Sequence, residues 1–433
     1  MVTKEEKQKM RKRNMKLFPT YKMLSWDFLF FYAIDFLFLT QIKNIDASDV
    51  VLKSTFNAFF GIILQIPANI IVEILGRKNS LILGNVLNSI YIFILILSRN
   101  LYDLIIAEFF CALAFALKNI VETSILSESI PPSKYKSKIF SNINSKGASR
   151  YYVLSTISKV IAGGLFEING YLPIIFSFIT VAISVIMSLF FIEPIKKKQK
   201  KDITSNEFKE IKQGISFVLK SERLKALIVA YALISAFLSI LSNYNVSLLE
   251  EIGISSVTIG VISAMMSFAR ALASKRERKF HDKFKNKSII TISLILSISC
   301  IICGICSIEA RTNYLLLGII IVALLGCGFS EGMYYTIRDK YLGNFSNKKI
   351  DTKIYTVNQL FGNISKVIAG IIASFLLDKM NTAYCMITIG IMFTIIYLLT
   401  EKYMKTRVGL KPEEYSKEER KYDELKETEK VWF

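Results

Sequence analysis

The sequence predicts an all-α integral membrane protein in which twelve transmembrane helices form two pseudosymmetric six-helix bundles. Three observations predict this fold: long apolar runs, basic residues gathered between the runs, and an internal repeat. The chain is 52% hydrophobic, yet its 55 Lys and Arg outnumber its 35 Asp and Glu, which gives a formal net charge of +20. A helix needs about 20 apolar residues to cross a bilayer, and runs such as 174–192 and 314–329 approach that length.

Each apolar run is expected to be a helix rather than a barrel strand. Only helices and closed barrels satisfy all backbone hydrogen bonds in lipid, and the runs lack the alternation of barrel strands. The basic start of the chain resembles part of a signal peptide, but no cleavage site follows, so the first span is expected to be retained. In chain order the predicted spans are 24–41, 52–75, 80–98, 101–125, 149–168, 171–193, 224–248, 254–273, 288–308, 313–336, 354–377 and 381–401.

Basic residues lie mostly in one of the two sets of loops between these spans. That set comprises 76–78, 133–138, 196–201, 276–287 and 338–349. Because short cytoplasmic loops carry the excess of Lys and Arg, these loops and both termini are expected on the cytoplasmic side of the cell membrane. The charge is spread over every inner loop, so topology explains it better than nucleic-acid binding does, and no nucleic-acid partner is expected.

The internal repeat is carried by the heptapeptide ISKVIAG, which occurs at 157–163 and again, unchanged, at 364–370. The copies are 207 positions apart and fall in the fifth and eleventh predicted spans. Two acidic residues, Glu73 at the end of the second predicted span and Asp282 after the eighth, are 209 positions apart. Six spans per half is an even number of crossings, so both halves enter the membrane from the same side, as a parallel repeat does.

This repeat divides the chain into four predicted segments. They are a six-helix bundle at 1–195, a cytoplasmic linker at 196–223, a second six-helix bundle at 224–404 and a charged cytoplasmic tail at 405–433. In the linker, Thr204 and Glu207 have the spacing of a capping box, and the apolar residues that follow recur on one helical face. We therefore expect a short amphipathic helix on the cytoplasmic membrane surface.

The stretch 63–85 resembles the loop between helices 2 and 3 of the major facilitator superfamily, which runs G-x-x-x-D-R-x-G-R-K. Gly76, Arg77 and Lys78 match this pattern, whereas Asn69, Glu73 and Ile74 replace its first Gly, its Asp and its first Arg. The twelve-span layout extends the resemblance over nearly the whole chain, which looks like the poorly characterised efflux permeases of low-GC bacteria. The resemblance implies a secondary transporter that works by alternating access, usually as a monomer.

The resemblance also implies a gating loop made of Glu73, Gly76, Arg77 and Lys78, with Asp282 in the second half. An acidic residue at the inner end of helix 2 can lie near the positive N-terminus of a neighbouring helix, and Glu73 is the residue expected there. For the basic pair Arg77 and Lys78, the positive-inside bias alone is an equally good explanation.

Ionisable residues inside the spans are expected to face a cavity or a partner, because charge in hydrocarbon is costly. In the family, helices 1, 4, 7 and 10 line the central cavity. The corresponding spans here are rich in polar and charged residues, whereas spans 3, 6, 9 and 12 are almost free of charge at their centres. The expected cavity residues are Asp35, Glu122, Lys159, Tyr231, Ser235, Ser239, Asn243, Glu331, Tyr334, Asn363 and Lys366.

Lys159 and Lys366 occupy equivalent positions in the two heptapeptide copies, about halfway along their spans. In one interpretation each lysine is structural and is neutralised by an acid such as Asp35. In the other, the pair faces the cavity and holds an anionic group of the substrate. Lys118 and Glu122 are four residues apart, so they can pair on one helix face.

No nucleotide-binding loop, zinc signature or catalytic triad occurs in the sequence, so we expect a transporter without enzymatic activity, cofactor or bound metal. Cys300, Cys303 and Cys306 are expected to serve in packing, and His281 to be a solvated residue of a basic loop. Because burial favours the neutral form of a carboxyl group, an acidic residue in a span can carry a proton. In falling order the proton-coupling candidates are Asp35, Glu122, Glu331 and Glu108.

The sequence favours proton-coupled export of a small or amphiphilic compound, with an anionic group as one option. Two patterns of drug exporters in this family are nevertheless altered: Glu108 stands at the Arg of R-x-x-Q-G, and Lys159 and Val160 begin the stretch that aligns with G-P-x-x-G-G. Proton-coupled uptake of a metabolite or peptide therefore remains an alternative, as does a lipid flippase. A third alternative, of another class, is a membrane receptor or scaffold that does not transport.

Overall fold

The computed structural model describes residues 4–131, 136–193, 203–284, 287–311, 313–345 and 351–404, and nearly all of them are helical. The chain divides into two compact units. Unit 1 comprises Met1–Asp46, Phe56–Glu207 and Ser256–Ala264, and unit 2 comprises Ala47–Thr55, Phe208–Ser255 and Met265–Phe433. The predicted basic loop at 196–201 and the tail at 405–433 lie outside the described residues.

Fifteen α-helices occupy the described residues. The first eight are α1 (Lys4–Ser25), α2 (Asp35–Leu37), α3 (Ala47–Ile63), α4 (Gln65–Leu75), α5 (Arg77–Leu97), α6 (Leu101–Ser129), α7 (Lys136–Ile168) and α8 (Leu172–Leu189), with a short π-helix at Phe38–Ile42. The others are α9 (Ile203–Lys220), α10 (Glu222–Glu251), α11 (Ser256–Phe284), α12 (Ser288–Ser307), α13 (Tyr314–Phe345), α14 (Asp351–Lys379) and α15 (Thr382–Met404). Helix α9 lies where the amphipathic linker helix was predicted; its Thr204 and Glu207 side chains lie outside the described part.

Nine of the described helices are long and apolar enough to cross a membrane, and ten spans result if the bent pair α3 and α4 counts as one. The predicted multi-pass helical fold is therefore confirmed, whereas the predicted count of twelve is not. The fifth predicted span, 149–168, forms the second half of α7, where Arg150, Lys159 and Glu167 keep the segment polar.

The first predicted span, 24–41, is not a continuous helix. Helix α1 ends at Ser25, where the span was expected to begin, and the next regular element starts at Asp35. Between them Phe30 has a φ of 68°, which is unusual for an aromatic residue and incompatible with a continuous α-helix. Asp27 favours this break because its carboxylate accepts a hydrogen bond from the backbone N–H of Phe28 at 2.8 Å, which competes with helical pairing.

The junction between α3 and α4 has a simpler cause. The two helices are bent by 56° across Leu64. Pro67 stands in the first turn of α4 and has no N–H to donate to the carbonyl four residues earlier, at Ile63. A missing donor and the bulk of the proline ring end the helical ladder at this point.

Unit 1 is held together by the packing of α1, α5, α6 and the end of α8. Phe18, Leu81, Leu117 and Phe191 belong to one buried apolar cluster. Asn14 of α1 is also buried, and its amide donates to the Ser129 hydroxyl at 2.9 Å and to the Ile192 carbonyl at 2.6 Å. The basic N-terminal segment is thus a packed helix of unit 1.

Unit 2 packs α10 against α14 and α12 against α13 and α15. Small residues permit close approach, as is common between membrane helices: a Cβ at Gly304 would lie 2.6 Å from the carbonyl oxygen of Ala383. Cys300 and Cys303 are fully buried in α12, as expected for packing residues.

Helix α11 is longer than predicted. The sequence suggested a span ending near 273 and then a basic loop, but α11 continues to Phe284. His281 is 3% exposed rather than solvated, and its Nε2 is 2.7 Å from the Tyr341 hydroxyl of α13. One turn earlier Glu277 forms an ion pair with Lys340. These contacts along one face of α11 extend the helix, because positions four residues apart lie on the same side.

The glycine that ends each heptapeptide copy makes a close helix contact within its own unit. In unit 1, a Cβ at Gly163 would lie 2.8 Å from the Cα of Val257, at the start of α11, and the Ser256 hydroxyl donates to the Gly163 carbonyl at 3.0 Å. In unit 2, a Cβ at Gly370 would meet the Thr55 side chain of α3. The repeated sequence thus encodes a repeated packing contact.

Candidate functional site

The break after α1 leaves backbone groups without helical hydrogen-bond partners in the interior of unit 1. The last carbonyl groups of a helix have no partner within the helix, and at the end of α1 one of these is the carbonyl of Ser25. The ammonium group of Lys118, from α6, donates to this oxygen. Lys118 is only 2% exposed, so a buried cation occupies the negative end of the broken helix.

Gly84 of α5 makes room for the Lys118 side chain. A Cβ at position 84 would lie 2.9 Å from Cγ of Lys118 and 3.1 Å from the carbonyl oxygen of Ala114. The ammonium also lies 5.1 Å from the centre of the Phe115 ring. Close packing of α5 and α6 therefore directs the lysine towards α1.

Asp27 lies within the non-helical segment and is held from two sides. One oxygen accepts the Phe28 N–H, and the other accepts a hydrogen bond from the Tyr151 hydroxyl of α7 at 2.8 Å. The charges of Lys118 and Lys159 also act on this carboxylate. Asp27 and Tyr151 were not among the predicted site residues, because the sequence does not reveal that helix 1 ends beside them.

Glu122 lies one turn beyond Lys118 on α6 and completes a group that we call the helix-1 site. Its Oε1 is 3.5 Å from the Ser25 hydroxyl, and Lys118 and Lys22 are its charged neighbours. Lys22 itself donates to the Asn144 side chain at 2.6 Å and lies 4.2 Å from the centre of the Trp26 ring. The helix-1 site consists of Ser25, Asp27, Lys118, Glu122 and Tyr151.

Two of the predicted carboxylates of unit 1, Asp35 and Glu108, are not members of the helix-1 site. Asp35 is half-buried at the start of α2. Glu108 is 3% exposed and accepts a hydrogen bond from the Asn57 amide at 2.6 Å. Lys159, in contrast, is half-buried and acts electrostatically on Asp27, which connects it with the helix-1 site.

The predicted gating loop contains a charge cluster in unit 1. Gly76 joins α4 to α5 with a φ of 78°, a conformation that favours glycine. The Arg77 N–H donates to Glu193 at 3.0 Å, and the Arg77 guanidinium forms an ion pair with Glu128. The acidic group at the N-terminus of α5 is therefore Glu193. The sequence could have indicated it, because Glu193 is the one acidic residue of the sixth predicted span, 171–193, and stands at its end.

The remaining members of the predicted gating loop are less enclosed. Glu73, which was expected beside a helix N-terminus, is exposed, and so is Asp282 on α11. Lys78 is half-buried in the first turn of α5. Glu73 is thus more exposed than Arg77, which is half-buried.

Unit 2 contains a group of tyrosines and basic residues, which we call the tyrosine site. The Tyr334 hydroxyl donates to the Tyr231 carbonyl at 3.0 Å. The Arg338 guanidinium lies 4.9 Å from the centre of the Tyr335 ring, and it forms an ion pair with Asp339 at 2.7 Å. Aromatic faces attract a cation placed over them, so these rings help to hold Arg338.

Lys366 of α14 is the second cation of the tyrosine site, which consists of Tyr231, Tyr334, Tyr335, Arg338 and Lys366. It is half-buried, and the positive charge of Arg338 acts on it. Within the described part of the chain no ion pair of Lys366 with an acid is found. Two like charges that act on each other, one of them over tyrosine rings, make a local environment suited to an anion.

The other predicted cavity residues of unit 2 have contacts of their own. The Ser235 hydroxyl oxygen lies 3.7 Å from the position that a Cβ at Gly362 would occupy. Asn363, the next residue of α14, is half-buried. Glu331 forms an ion pair with Arg270. The Asn243 amide donates to Ser54 at 3.2 Å, and the Ser239 carbonyl accepts a hydrogen bond from Ser242.

Comparison with known proteins places these features in a family. A model of the Major Facilitator Superfamily matches residues 23–327 and 227–432. The chain is 22% identical over 263 residues to YxaM of Bacillus subtilis (strain 168), an uncharacterised MFS-type transporter. The match covers 58% of this chain and 64% of YxaM, less than two thirds of that protein's length.

Several solved transporters have a similar fold. The nucleoside transporter NupG has a TM-score of 0.67 at 11% identity, over 92% of this chain and 98% of NupG. A POT family transporter in complex with 5-aminolevulinic acid has a TM-score of 0.63 at 15% identity, over 92% and 95%. A bacterial homologue of the human lysosomal transporter Spinster has a TM-score of 0.61 at 12% identity, over 91% and 97%. At these identities the likeness establishes the fold alone.

Proposed function

Because the chain belongs to the Major Facilitator Superfamily, we propose that this membrane transporter exports a small or amphiphilic anion in exchange for protons. As a multi-pass transporter of that family it acts on small molecules within a lipid bilayer and is not an enzyme. The anionic substrate, the direction of transport and the coupling to protons are the parts that we propose.

The observation that carries the proposal is the pair Arg338 and Lys366 in the tyrosine site. A cation within a membrane helix is costly unless it meets an anion, water or another polar partner. Asp339, which pairs with Arg338, is exposed and balances one of the two charges. The second positive charge supports the binding of an anionic group supplied by the substrate.

The aromatic rings favour an amphiphilic compound. Tyr335 exposes 39% of its surface, so its ring is available for apolar contact, while its hydroxyl group can donate a hydrogen bond. A carboxylate, phosphate or sulfonate joined to an apolar body would meet both kinds of group.

The proposal is tested by thermal-shift measurements with matched pairs of ligands, for example benzoate against benzamide and octanoate against octanamide. We expect the anions to raise the Tm of the parent protein and the neutral amides to leave it unchanged. Lys366→Ala should lose this response, whereas Lys379→Ala should keep it, because Lys379 is an exposed residue of the same helix that pairs with Asp378. Equal stabilisation by anions and amides, or an undiminished response in Lys366→Ala, would contradict the proposal.

For coupling we propose that Asp35 and Glu122 are the carboxyl groups that exchange protons. Their position in the spans of unit 1 supports this, whereas Glu331 is already paired with Arg270. A pH gradient across proteoliposomes should drive accumulation of the substrate, and collapse of the gradient with an ionophore should abolish it.

Direction is tested by the sign of accumulation. Inside-out vesicles energised with an acidic lumen should take up the substrate if the protein is an exporter. Uptake by right-side-out vesicles under an inward proton gradient would favour the alternative, a symporter. No movement of any ligand that binds would favour a receptor.

We further propose a monomer in the cell membrane with both termini cytoplasmic, and the bundle boundaries 1–195 and 224–404. The bias of basic residues towards one set of loops supports this topology. Labelling of single cysteines placed near each terminus with a membrane-impermeant maleimide tests it, since label should reach both termini only in inverted vesicles.

A further inference from the structure

The Lys118 ammonium lies among oxygen atoms of the kind that bind metal cations. It donates to the Ser25 carbonyl, which the end of α1 leaves without a helical partner. The carboxylates of Glu122 and Asp27 are the negative charges that act on it from within unit 1. The Ser25 carbonyl thus contacts the ammonium directly, and the two carboxylates act on it electrostatically.

Ends of broken membrane helices are natural sites for small cations. Unpaired backbone carbonyls and the negative end of the helix dipole attract positive charge, and they can coordinate Na⁺. At the end of α1 the ammonium group of Lys118 occupies the place that such a cation would take. Gly84 provides the space for that side chain, since a Cβ there would collide with its Cγ.

We propose that Lys118 is a tethered cation, which occupies the place of a monovalent metal ion at the end of α1 and makes the protein independent of Na⁺ there. Removing the ammonium leaves Ser25, Asp27 and Glu122 without their shared cation. Na⁺ then restores the same charge, with the Ser25 carbonyl and the two carboxylates as its ligands. The inference rests on the proposed function only where it concerns the coupling ion.

Lys43 provides a matched control in the same unit. Its ammonium also donates to a backbone carbonyl near the end of a helix, that of Ile96 in α5. Its other described contacts are the rings of Phe38 and Tyr171. Removing Lys43 therefore frees a helical carbonyl in a setting of aromatic rings, whereas removing Lys118 frees one beside carboxylates.

The experiment compares the Tm of purified proteins in NaCl and in N-methylglucamine chloride at equal ionic strength. We expect no difference for the parent protein and for Lys43→Ala. Lys118→Ala should show a rise of about 3 °C at a Na⁺ concentration tenfold above its Kd. The added change Glu122→Gln should remove this rise, because a ligand of the new site is neutralised.

Three outcomes would overturn the proposal. In the first, the Tm of Lys118→Ala does not differ between the two salts, as for the parent protein. In the second, the rise in Tm with Na⁺ persists after the added change Glu122→Gln. In the third, Lys118→Ala does not fold in either salt, although bound Na⁺ should restore folding. The measurement needs no substrate. A failure here is therefore distinct from a failure of the proposed anion export, which the ligand pairs and vesicles test.

Discussion

Substitution of the glycine that ends the first heptapeptide copy should destabilise the protein, while the same change one residue later should not. A Cβ at Gly163 would lie 2.8 Å from Cα of Val257 and closer still to the Ser256 carbonyl oxygen, and both are backbone atoms. Real Cβ contacts are essentially never shorter than 3.0 Å. Gly164 has no atom within 4 Å of that position, so it is the matched control.

The size of the effect follows from three contributions. Alanine is a better helix former than glycine by about 1 kcal/mol, and both variants gain this. Forcing an extra methyl group into a packed contact costs about 1–3 kcal/mol. The separation of the helices should also weaken the hydrogen bond from the Ser256 hydroxyl to the Gly163 carbonyl, which is worth about 1 kcal/mol. Gly163→Ala should therefore be about 2–4 kcal/mol less stable than Gly164→Ala.

Thermal unfolding in detergent can be followed with a thiol-reactive dye, because five of the six cysteines are buried in the folded protein. At about 2–4 °C per kcal/mol, the Tm of Gly163→Ala should lie at least about 4 °C below that of Gly164→Ala. Equal Tm values would refute the reasoning, because they would mean that the contact at Gly163 is loose.

The second copy offers an internal check of the same reasoning. A Cβ at Gly370 would meet the Thr55 side chain rather than backbone. Side chains adjust more easily than backbone, so Gly370→Ala should lower the Tm less than Gly163→Ala does. The added change Thr55→Ala should restore most of the loss, whereas no recovery would show that the clash is not the cause.

Three further predictions concern charge and buried hydrogen bonds. Asp35→Asn should abolish accumulation driven by a pH gradient in proteoliposomes but leave counterflow exchange intact; continued accumulation would exclude Asp35 as the proton carrier. Arg77→Ala should lower the free energy of unfolding by about 1–3 kcal/mol, because Glu128 loses its ion-pair partner while Glu193 keeps the backbone N–H of residue 77. Lys78→Ala should change it by less than about 0.5 kcal/mol, and equal effects in urea unfolding would contradict this. Tyr341→Phe should cost about 1–3 kcal/mol, since the buried His281 loses its hydrogen bond, and an unchanged Tm would argue against that bond.

The repeat and the helical membrane fold could be predicted because they depend on local pattern. Apolar runs and basic loops can be recognised directly in the sequence, and the two copies of the heptapeptide indicate the offset between the repeated halves. What the repeat does could not be predicted in the same way. The contact of Gly163 with Val257 joins residues far apart in the chain, and only the folded structure shows that the glycine is needed there.

The break in the first span was missed for a related reason. The stretch 24–41 is apolar enough to be a helix, and its few small polar residues, Ser25, Asp27, Asp35 and Thr40, do not by themselves reveal where a helix would end. The break is stabilised by Lys118 and Tyr151, which come from α6 and α7. Long-range partners of this kind override local propensity, and one sequence alone does not identify them.

The length of α11 and the acid at the N-terminus of α5 show the same limit. A basic segment was predicted as a loop, yet Glu277 and His281 pack against α13 and continue the helix. Glu73 was expected near a helix N-terminus because of its place in the chain, but Glu193 occupies the position. In both cases the charge of a segment did not identify the residue that it contacts.

The burial of Asn14 has a practical consequence for producing the protein. Its side-chain NH₂ group donates to both the Ser129 hydroxyl and the Ile192 carbonyl, and its side-chain oxygen accepts a hydrogen bond from the Ile192 N–H at 3.1 Å. A shortened gene that starts after codon 14 would strand these groups at the far ends of α6 and α8. Recombinant expression should therefore keep the segment that contains Asn14.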